Sequence, residues 1–315
     1  MGTTRALVLG ASGFVGRSVC AQLASRGIAI RALTRDSLKA RPLQVIPSLE
    51  IFAGSPHDDE ALGRALDGVG AAVNLVGILH ESRREPFEKV HVELPRRLAR
   101  ACRTAGVARL VHMSALNAGR DGPSRYLRSR GQGEDALREA GAGLAVTIFR
   151  PSVIFGQDDR FLNLFAGLVK LLPLVPLAGA KTRFQPVWVE DVAKAVAACV
   201  DDSRSVGQAY DLCGPGIYTL EEILQFVARV LDRQRLVVPL PHWAALAQAF
   251  VLERLPGPVI TRDNLASMQV DSVCGCPFPE VFGFAPAAME TIVPEYMAAA
   301  GIRARYAAYQ RRVGR

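Results

Sequence analysis

The sequence predicts an α/β fold: a doubly wound parallel sheet with a smaller, mostly helical C-terminal lobe. Three observations predict it. From the N-terminus to Pro151, short apolar runs alternate with amphipathic runs, the pattern of repeated strand–helix–strand units. The first such transition, ALVLGASGFVGRSVC at 6–20, places glycines at 10, 13 and 16 between a strand-length run and a helical one. Beyond Pro151 the alternation gives way to helical periodicity joined by proline-rich links. We divide the chain accordingly. Residues 1–215 form the sheet domain, with 157–183 contributing to the small lobe, and 216–315 form the lobe, expected over the carboxyl ends of the strands.

Ala6–Leu9 is long enough for a buried parallel strand, and Val15, Val19 and Leu23 recur behind it at helical spacing. Strand, glycine turn and helix together are the context that a dinucleotide fingerprint of the Rossmann type requires. Gly10 lets the chain turn where a side chain would clash, Gly13 lets the backbone approach a pyrophosphate, and Gly16 lets the helix pack closely. With Ser12, Phe14 and Val15, these glycines are the candidate phosphate site, facing a helix N-terminus rich in unpaired N–H groups. A P-loop is excluded, because position 11 is Ala and Arg17 stands where the lysine belongs.

Ile28–Leu33 reads as the second strand, followed by Thr34, Arg35 and Asp36 where a ribose-reading residue is expected. A carboxylate there accepts from a 2′-hydroxyl and selects NAD(H). Arg35, helped by Arg31 or Lys39, suits a 2′-phosphate and favours NADP(H), with Asp36 competing. Leu49–Ala53 is the third strand and Asp58–Leu66 a short helix. Ala71–Val76 is the fourth strand, bringing Asn74 and Gly77 to the cofactor side. Pro86–Ala105 reads as one long amphipathic helix, Leu110–Met113 as a strand ending at Ser114, Tyr126–Glu139 as a helix, and Leu144–Phe149 as the sixth strand before Arg150-Pro151. Phe161–Leu172 is helical, Phe184–Val189 extended, Glu190–Val200 helical and Ala209–Cys213 a strand. Four helices follow: Leu220–Leu231, Trp243–Leu255, Ile260–Met268 and Ala287–Ala299, the last kinked or split by Pro294.

Half of the 315 residues are hydrophobic and 22% are charged, enough apolar surface for a sizeable core. No apolar stretch reaches the roughly 20 residues of a membrane span, and the N-terminus enters a strand without a signal-peptide pattern. A cytoplasmic location is expected, extending to peripheral attachment at the inner face of a membrane. The net charge is +8, but the cations are scattered and lack interleaved aromatics, so nucleic acid is not an expected partner. The histidines have no metal-ligand spacing, and His112 reads as a packed strand residue. The six scattered cysteines read as reduced thiols. The apolar stretch Trp243–Leu255 is core of the small lobe or a partner- or membrane-facing surface.

Ser114, Tyr126 and Arg130 could carry chemistry. Tyr126 and Arg130 are i, i+4 on one helix face. A tyrosine ordinarily ionises near pH 10 and is a poor acid or base at neutrality; a neighbouring cation favours a phenolate. With a hydroxyl to hold a carbonyl or alcohol oxygen, this is a proton-transfer set for hydride chemistry.

These residues resemble a family. GASGFVG at 10–16, NLVG at 74–77, Ser114, YLRSR at 126–130 and RPSVIFG at 150–156 are similar to the atypical, extended branch of the short-chain dehydrogenase/reductases. YLRSRGQGEDALREAG, RPSVIFGQDDRFLN, FQPVWVEDVAKAV and ITRDNLASM extend the resemblance to the NADPH-binding accessory subunit of respiratory complex I and its bacterial relatives. The resemblance implies a nicotinamide dinucleotide, NADP(H) rather than NAD(H). It implies pyrophosphate at Gly10, Gly13 and Gly16, the ribose phosphate at Arg35, and a cleft lined by Asn74 and Gly77. Tyr126 would point at the nicotinamide, with Pro151 and Val153 at its carboxamide. A respiratory-complex or membrane-surface partner is also implied.

Active members carry Tyr-x-x-x-Lys, and here position 130 is Arg, a planar fork not interchangeable with an ammonium. In extended members the active hydroxyl can lie one or two residues after Ser114, where this chain has Ala115 and Leu116; Asn117 is the next polar group. A bound cofactor with weak or no turnover is the leading expectation. An active oxidoreductase or epimerase on a nucleotide-sugar or quinone-like substrate is one alternative. A structural assembly factor rigidified by its cofactor is the other.

Overall fold

The computed structural model describes residues 5–82, 84–254 and 260–298. Strand β1 (Arg5–Leu9) leads through the glycine turn into α1 (Phe14–Ser25). Then come β2 (Ala29–Thr34), β3 (Leu49–Ala53), α2 (Asp59–Leu66) and β4 (Ala71–Asn74). A π-helical turn at Glu88–Glu93 runs into α3 (Leu94–Thr104), and β5 (Arg109–Met113), α4 (Arg125–Ala140) and β6 (Ala145–Pro151) follow. After α5 (Phe161–Leu171) the chain returns to the sheet as α6 (Val189–Asp201) and the seventh strand, β7 (Ala209–Leu212).

All neighbours in the sheet are parallel, in the order β7-β6-β5-β4-β1-β2-β3. The order reverses between β1 and β4, which pair from Ala6↔Ala71 to Leu9↔Asn74. That reversal opens a crevice beyond their carboxyl ends, where ligands of such sheets bind. β1, β4 and β5 are buried along nearly their whole length, Arg109 and His112 of β5 included, because helices cover both faces of the sheet. One face holds Leu7, Leu9, Leu62, Leu66, Leu94, Leu98, Leu110 and Ile148 in a common core. Local chemistry starts the helices: Asp58 accepts from the Glu60 amide at α2, and Ser124 accepts from Leu127 at α4.

The chain forms two units. The first comprises the residues to Pro151, Val189–Leu212 and Pro279–Phe284; the second comprises Ser152–Trp188, Cys213–Phe278 and the residues from Ala285 on. In the first, the rings of Phe149, Tyr210 and Phe282 meet. In the second, α5, α7 (Leu220–Val230) and helical residues 289–298 enclose Phe155, Phe165, Val169, Ile223, Val227 and Val293. A capping box between Thr219 and Glu222 starts α7. Two further helices are α8 (His242–Leu252) and α9 (Arg262–Ser267).

Several expectations change. The run from Pro86 is a π-helical turn followed by α3 rather than one regular helix. Residues 174–177 and 236–239 form a parallel ladder that their prolines disguise in the sequence. The last helix passes through Pro294 without interruption up to 298; Ala299 and Leu255, proposed helix ends, lie outside the described residues. Cys213 and Cys274 form a disulfide, against the expectation of reduced thiols; 61 residues of separation hide that pairing in the sequence. Cys20, Cys102 and Cys199 are free and buried.

α8 inverts the usual amphipathic arrangement. It seats Ala245 and Ala249 against Ala178 and Leu265 and turns Trp243, Phe250 and Val251 outward, Trp243 being 75% exposed. The guanidinium of Arg254 lies 3.5 Å from the Phe250 ring centroid, with that of Arg262 at 5.4 Å. Among the described residues no helix is long and apolar enough to cross a membrane.

Candidate functional site

The glycine turn is a cradle whose dimensions the missing side chains set. Gly10 has φ +81°, and a Cβ there would lie 3.1 Å from the Leu75 carbonyl carbon. A Cβ on Gly16 would lie 2.1 Å from the Gly10 oxygen, so α1 can approach the turn only with glycine at that position. The Gly13 amide closes the turn onto the Gly10 carbonyl at 3.0 Å, and Gly13 itself is exposed. Ser12, Phe14 and Val15 are half-buried around it. No side chain caps α1, and no acidic residue stands in its first turn. This end of the helix is built to face an anion with backbone N–H groups, and the residues present fit a dinucleotide pyrophosphate.

At the end of β2, Arg35 and Asp36 have different surroundings. Asp36 Oδ1 accepts from the amides of Leu38 and Lys39, at 3.0 and 3.3 Å, so its carboxylate closes a turn. Arg35 Nη1 pairs with Glu85 Oε1 at 2.5 Å. Arg31 is not available as a helper. Its guanidinium is buried, pairs with Glu50 and donates to the carbonyls of Arg64, Ala65 and Asp67 at the end of α2.

At the end of β4, Asn74 is fully buried. Its Oδ1 accepts from the Val76 amide and its Nδ2 donates to His112 Nδ1, both at 3.2 Å. His112 is therefore neutral with its proton on Nε2. Burial and then the nearby charge of Arg130 push its pKa down to about 3. Gly77 is where Arg130 reaches the crevice: a Cβ on Gly77 would lie 2.1 Å from Arg130 Nη2. Arg130 Nη1 donates to the Met113 carbonyl at 3.1 Å, and its Cζ lies 5.4 Å from the centroid of the Tyr126 ring. The structure thus joins Gly77, Tyr126 and Arg130 across the ends of β4, β5 and α4.

The π-turn supplies a residue that sequence reasoning passed over. Buried His91 accepts the Ile78 amide at Nε2, 3.2 Å away, so its Nδ1 holds the proton and donates to Ser129 Oγ at 2.8 Å. Ser129 Oγ in turn donates to the Tyr126 carbonyl at 2.8 Å. Burial first, then Arg130 and His112, push the His91 pKa down to about 2. Its ring stacks on Phe87 and meets the edge of Tyr126, with centroids 5.6 Å apart. A Cβ on Gly133 would lie 1.8 Å from the His91 oxygen and one on Gly131 2.6 Å from the Gly119 backbone, so the two glycines of RGQG let α4 settle at this depth. Only those glycines, read as close-approach positions, could have signalled it.

Ser114 directly follows Met113, whose carbonyl Arg130 holds. Its buried Oγ has no well-aligned hydrogen-bond partner and lies beside Glu134 on α4. Burial pushes the Glu134 carboxyl up; hydrogen bonds from Arg150, the nearby Ser114 hydroxyl and the charges of Arg150 and Arg138 outweigh it and hold the group below the ordinary carboxylate range. Ala115 and Leu116 are buried, and Asn117 has φ +62°. Pro151 ends β6 and accepts the Leu116 amide at 2.9 Å. Val153 belongs to the second unit, where it packs against the Phe155 cluster and its carbonyl accepts from Val187. No group of His, Cys, Asp and Glu among the described residues could hold a metal ion. The first unit offers an anion cradle, a cation–carboxylate pair at the end of β2, and a tyrosine packed against a buried guanidinium.

Residues 10–203 match the family described as NAD(P)H-binding. The chain is 33% identical over 295 residues to the mouse protein "NADH dehydrogenase [ubiquinone] 1 alpha subcomplex subunit 9, mitochondrial", covering 90% of this chain and 77% of that one. It is 31% identical over 236 residues to a ceramide reductase of Caulobacter vibrioides, covering 74% and 73% of the two chains. Among solved structures, the Citrobacter triphenylmethane reductase complexed with NADP(H) superposes with a TM-score of 0.74 at 18% identity, over 94% of this chain and 99% of that one; at that identity the likeness concerns the fold.

Proposed function

The chain belongs to the NAD(P)H-binding family, in its atypical short-chain dehydrogenase/reductase branch, and from that premise we propose that it holds NADP(H) as a resident ligand with weak or no turnover, in the manner of a complex I accessory subunit. What carries the reading is the engagement of Arg130. The cation beside Tyr126 is tied to the Met113 carbonyl and lies against Gly77, while the position two residues after Ser114 is a buried leucine. A nicotinamide, when bound, supplies a hydride donor or acceptor. In this reading Gly10, Gly13 and Gly16 seat the pyrophosphate, Arg35 pairs with the 2′-phosphate, Asn74 and Gly77 shape the crevice, and Tyr126 faces the nicotinamide. The commitment of Asp36 to backbone amides supports the phosphate over the bare ribose.

Arg35→Ala tests the cofactor assignment. A charge-assisted hydrogen bond contributes about 1.5–3 kcal/mol, so calorimetry should show NADPH affinity falling roughly 10- to 150-fold with NADH nearly unchanged. Equal losses for both would remove Arg35 from the 2′-position. For the partner, the relatives' place in a respiratory complex and the outward apolar face of α8 support peripheral attachment at a membrane surface.

A further inference from the structure

Glu85 contacts the residue that reads the ribose, yet the phosphate reading gives it no role. Its carboxylate lies 2.5 Å from Arg35 Nη1. The Glu85 backbone is pinned to Ser82. Its amide donates to Ser82 Oγ at 3.0 Å and to the Ser82 carbonyl at 3.2 Å, and its carbonyl accepts from the Ser82 amide at 3.1 Å. The same loop is tied again at Glu81, which accepts from the Phe87 amide and pairs with Arg125 on α4 at 2.7 Å. Asp36, the carboxylate that sequence position nominates for the ribose, has its Oδ1 taken by two backbone amides and its Oδ2 3.9 Å from Lys39 Nζ.

Resting on the dinucleotide reading above, we propose that Glu85 is a specificity-determining residue of the site. Its carboxylate accepts from the 2′-hydroxyl of NAD(H) and repels the 2′-phosphate of NADP(H), so it narrows the preference that Arg35 creates. Specificity is a difference of affinities, and a repulsive group sets it as effectively as an attractive one. A phosphate carries close to two negative charges. A carboxylate about 6 Å from it, in a dielectric near that of water, opposes binding on the order of tenfold.

The test is calorimetric titration of the full chain with NADPH and with NADH. Glu85→Gln should tighten NADPH about tenfold and weaken NADH, which loses a charged acceptor for its 2′-hydroxyl. Glu85→Lys should move the ratio further the same way, and the gain should shrink as salt rises. A ratio shifted less than twofold in both variants overturns the proposal while leaving the site intact. Failure of the unsubstituted chain to bind either dinucleotide overturns the site reading itself, and the role of Glu85 with it.

Discussion

At Arg130 the guanidinium donates to the Met113 carbonyl, presses on Gly77 and packs over the Tyr126 ring. A planar fork can hold all three contacts at once; an ammonium on a shorter reach keeps the charge and releases the geometry. Arg130→Lys should therefore free the cation for a ribose hydroxyl. If a substrate is supplied, steady-state oxidation of NADPH should rise in this variant, and Tyr126→Phe should abolish whatever rate exists. An unsubstituted protein turning over at an ordinary 1 to 10³ per second would sink the low-turnover reading. The residues of this cluster differed in how plainly the sequence announced them. Tyr126 and Arg130 stand at i, i+4 and were legible from spacing. His91 was not, because its roles depend on a π-turn and on Ser129, 38 positions away. Glu85 was invisible for the same reason, its partner being Arg35 at the end of another strand.

Elements with strong period and clear punctuation were read to within a residue or two: α1, α2, α4, α6 and the sheet strands all occupy their expected runs. Failures cluster where backbone contacts override local pattern, as in the π-turn pressed against Gly133 and in the proline-bearing ladder of 174–177 with 236–239. α8 was legible as apolar but not in its orientation, since only packing reveals that its alanines face inward. That orientation yields a prediction. An exposed Trp–Phe–Val face beside Arg254 and Arg262 has the composition of an interfacial helix. The chain should sediment with mixed phosphatidylcholine–phosphatidylglycerol vesicles, and a Trp243→Glu, Val251→Glu double variant should lose that binding with its thermal unfolding unchanged. Equal sedimentation of both proteins would take α8 out of any membrane contact.

For the whole molecule, the two neutral histidines behind the site set an acid limit. Native His91 and His112 have pKa values near 2 and 3, against about 6.5 in the unfolded chain. Between those limits the unfolded state binds more protons, so stability rises with pH. The contribution is complete above about pH 6.5 and is lost as pH falls toward 3. At pH 5 each histidine should cost about 2 kcal/mol relative to pH 7. Urea midpoints at the two values check this, with His112→Gln recovering about half of the difference; equal midpoints would contradict it. A different consequence follows from the route of the chain, which leaves the first unit after Pro151, returns for α6 and β7, leaves again and comes back for Pro279–Phe284. Phe282 closes on Phe149 and Tyr210 some 130 residues after Phe149 is made. At about 5–20 residues per second, a ribosome needs roughly seven to twenty-seven seconds to cover that distance. Until then Phe149, and Tyr210 once it is made, lack the ring that later packs on both, so that flank of the sheet is the last to close during synthesis.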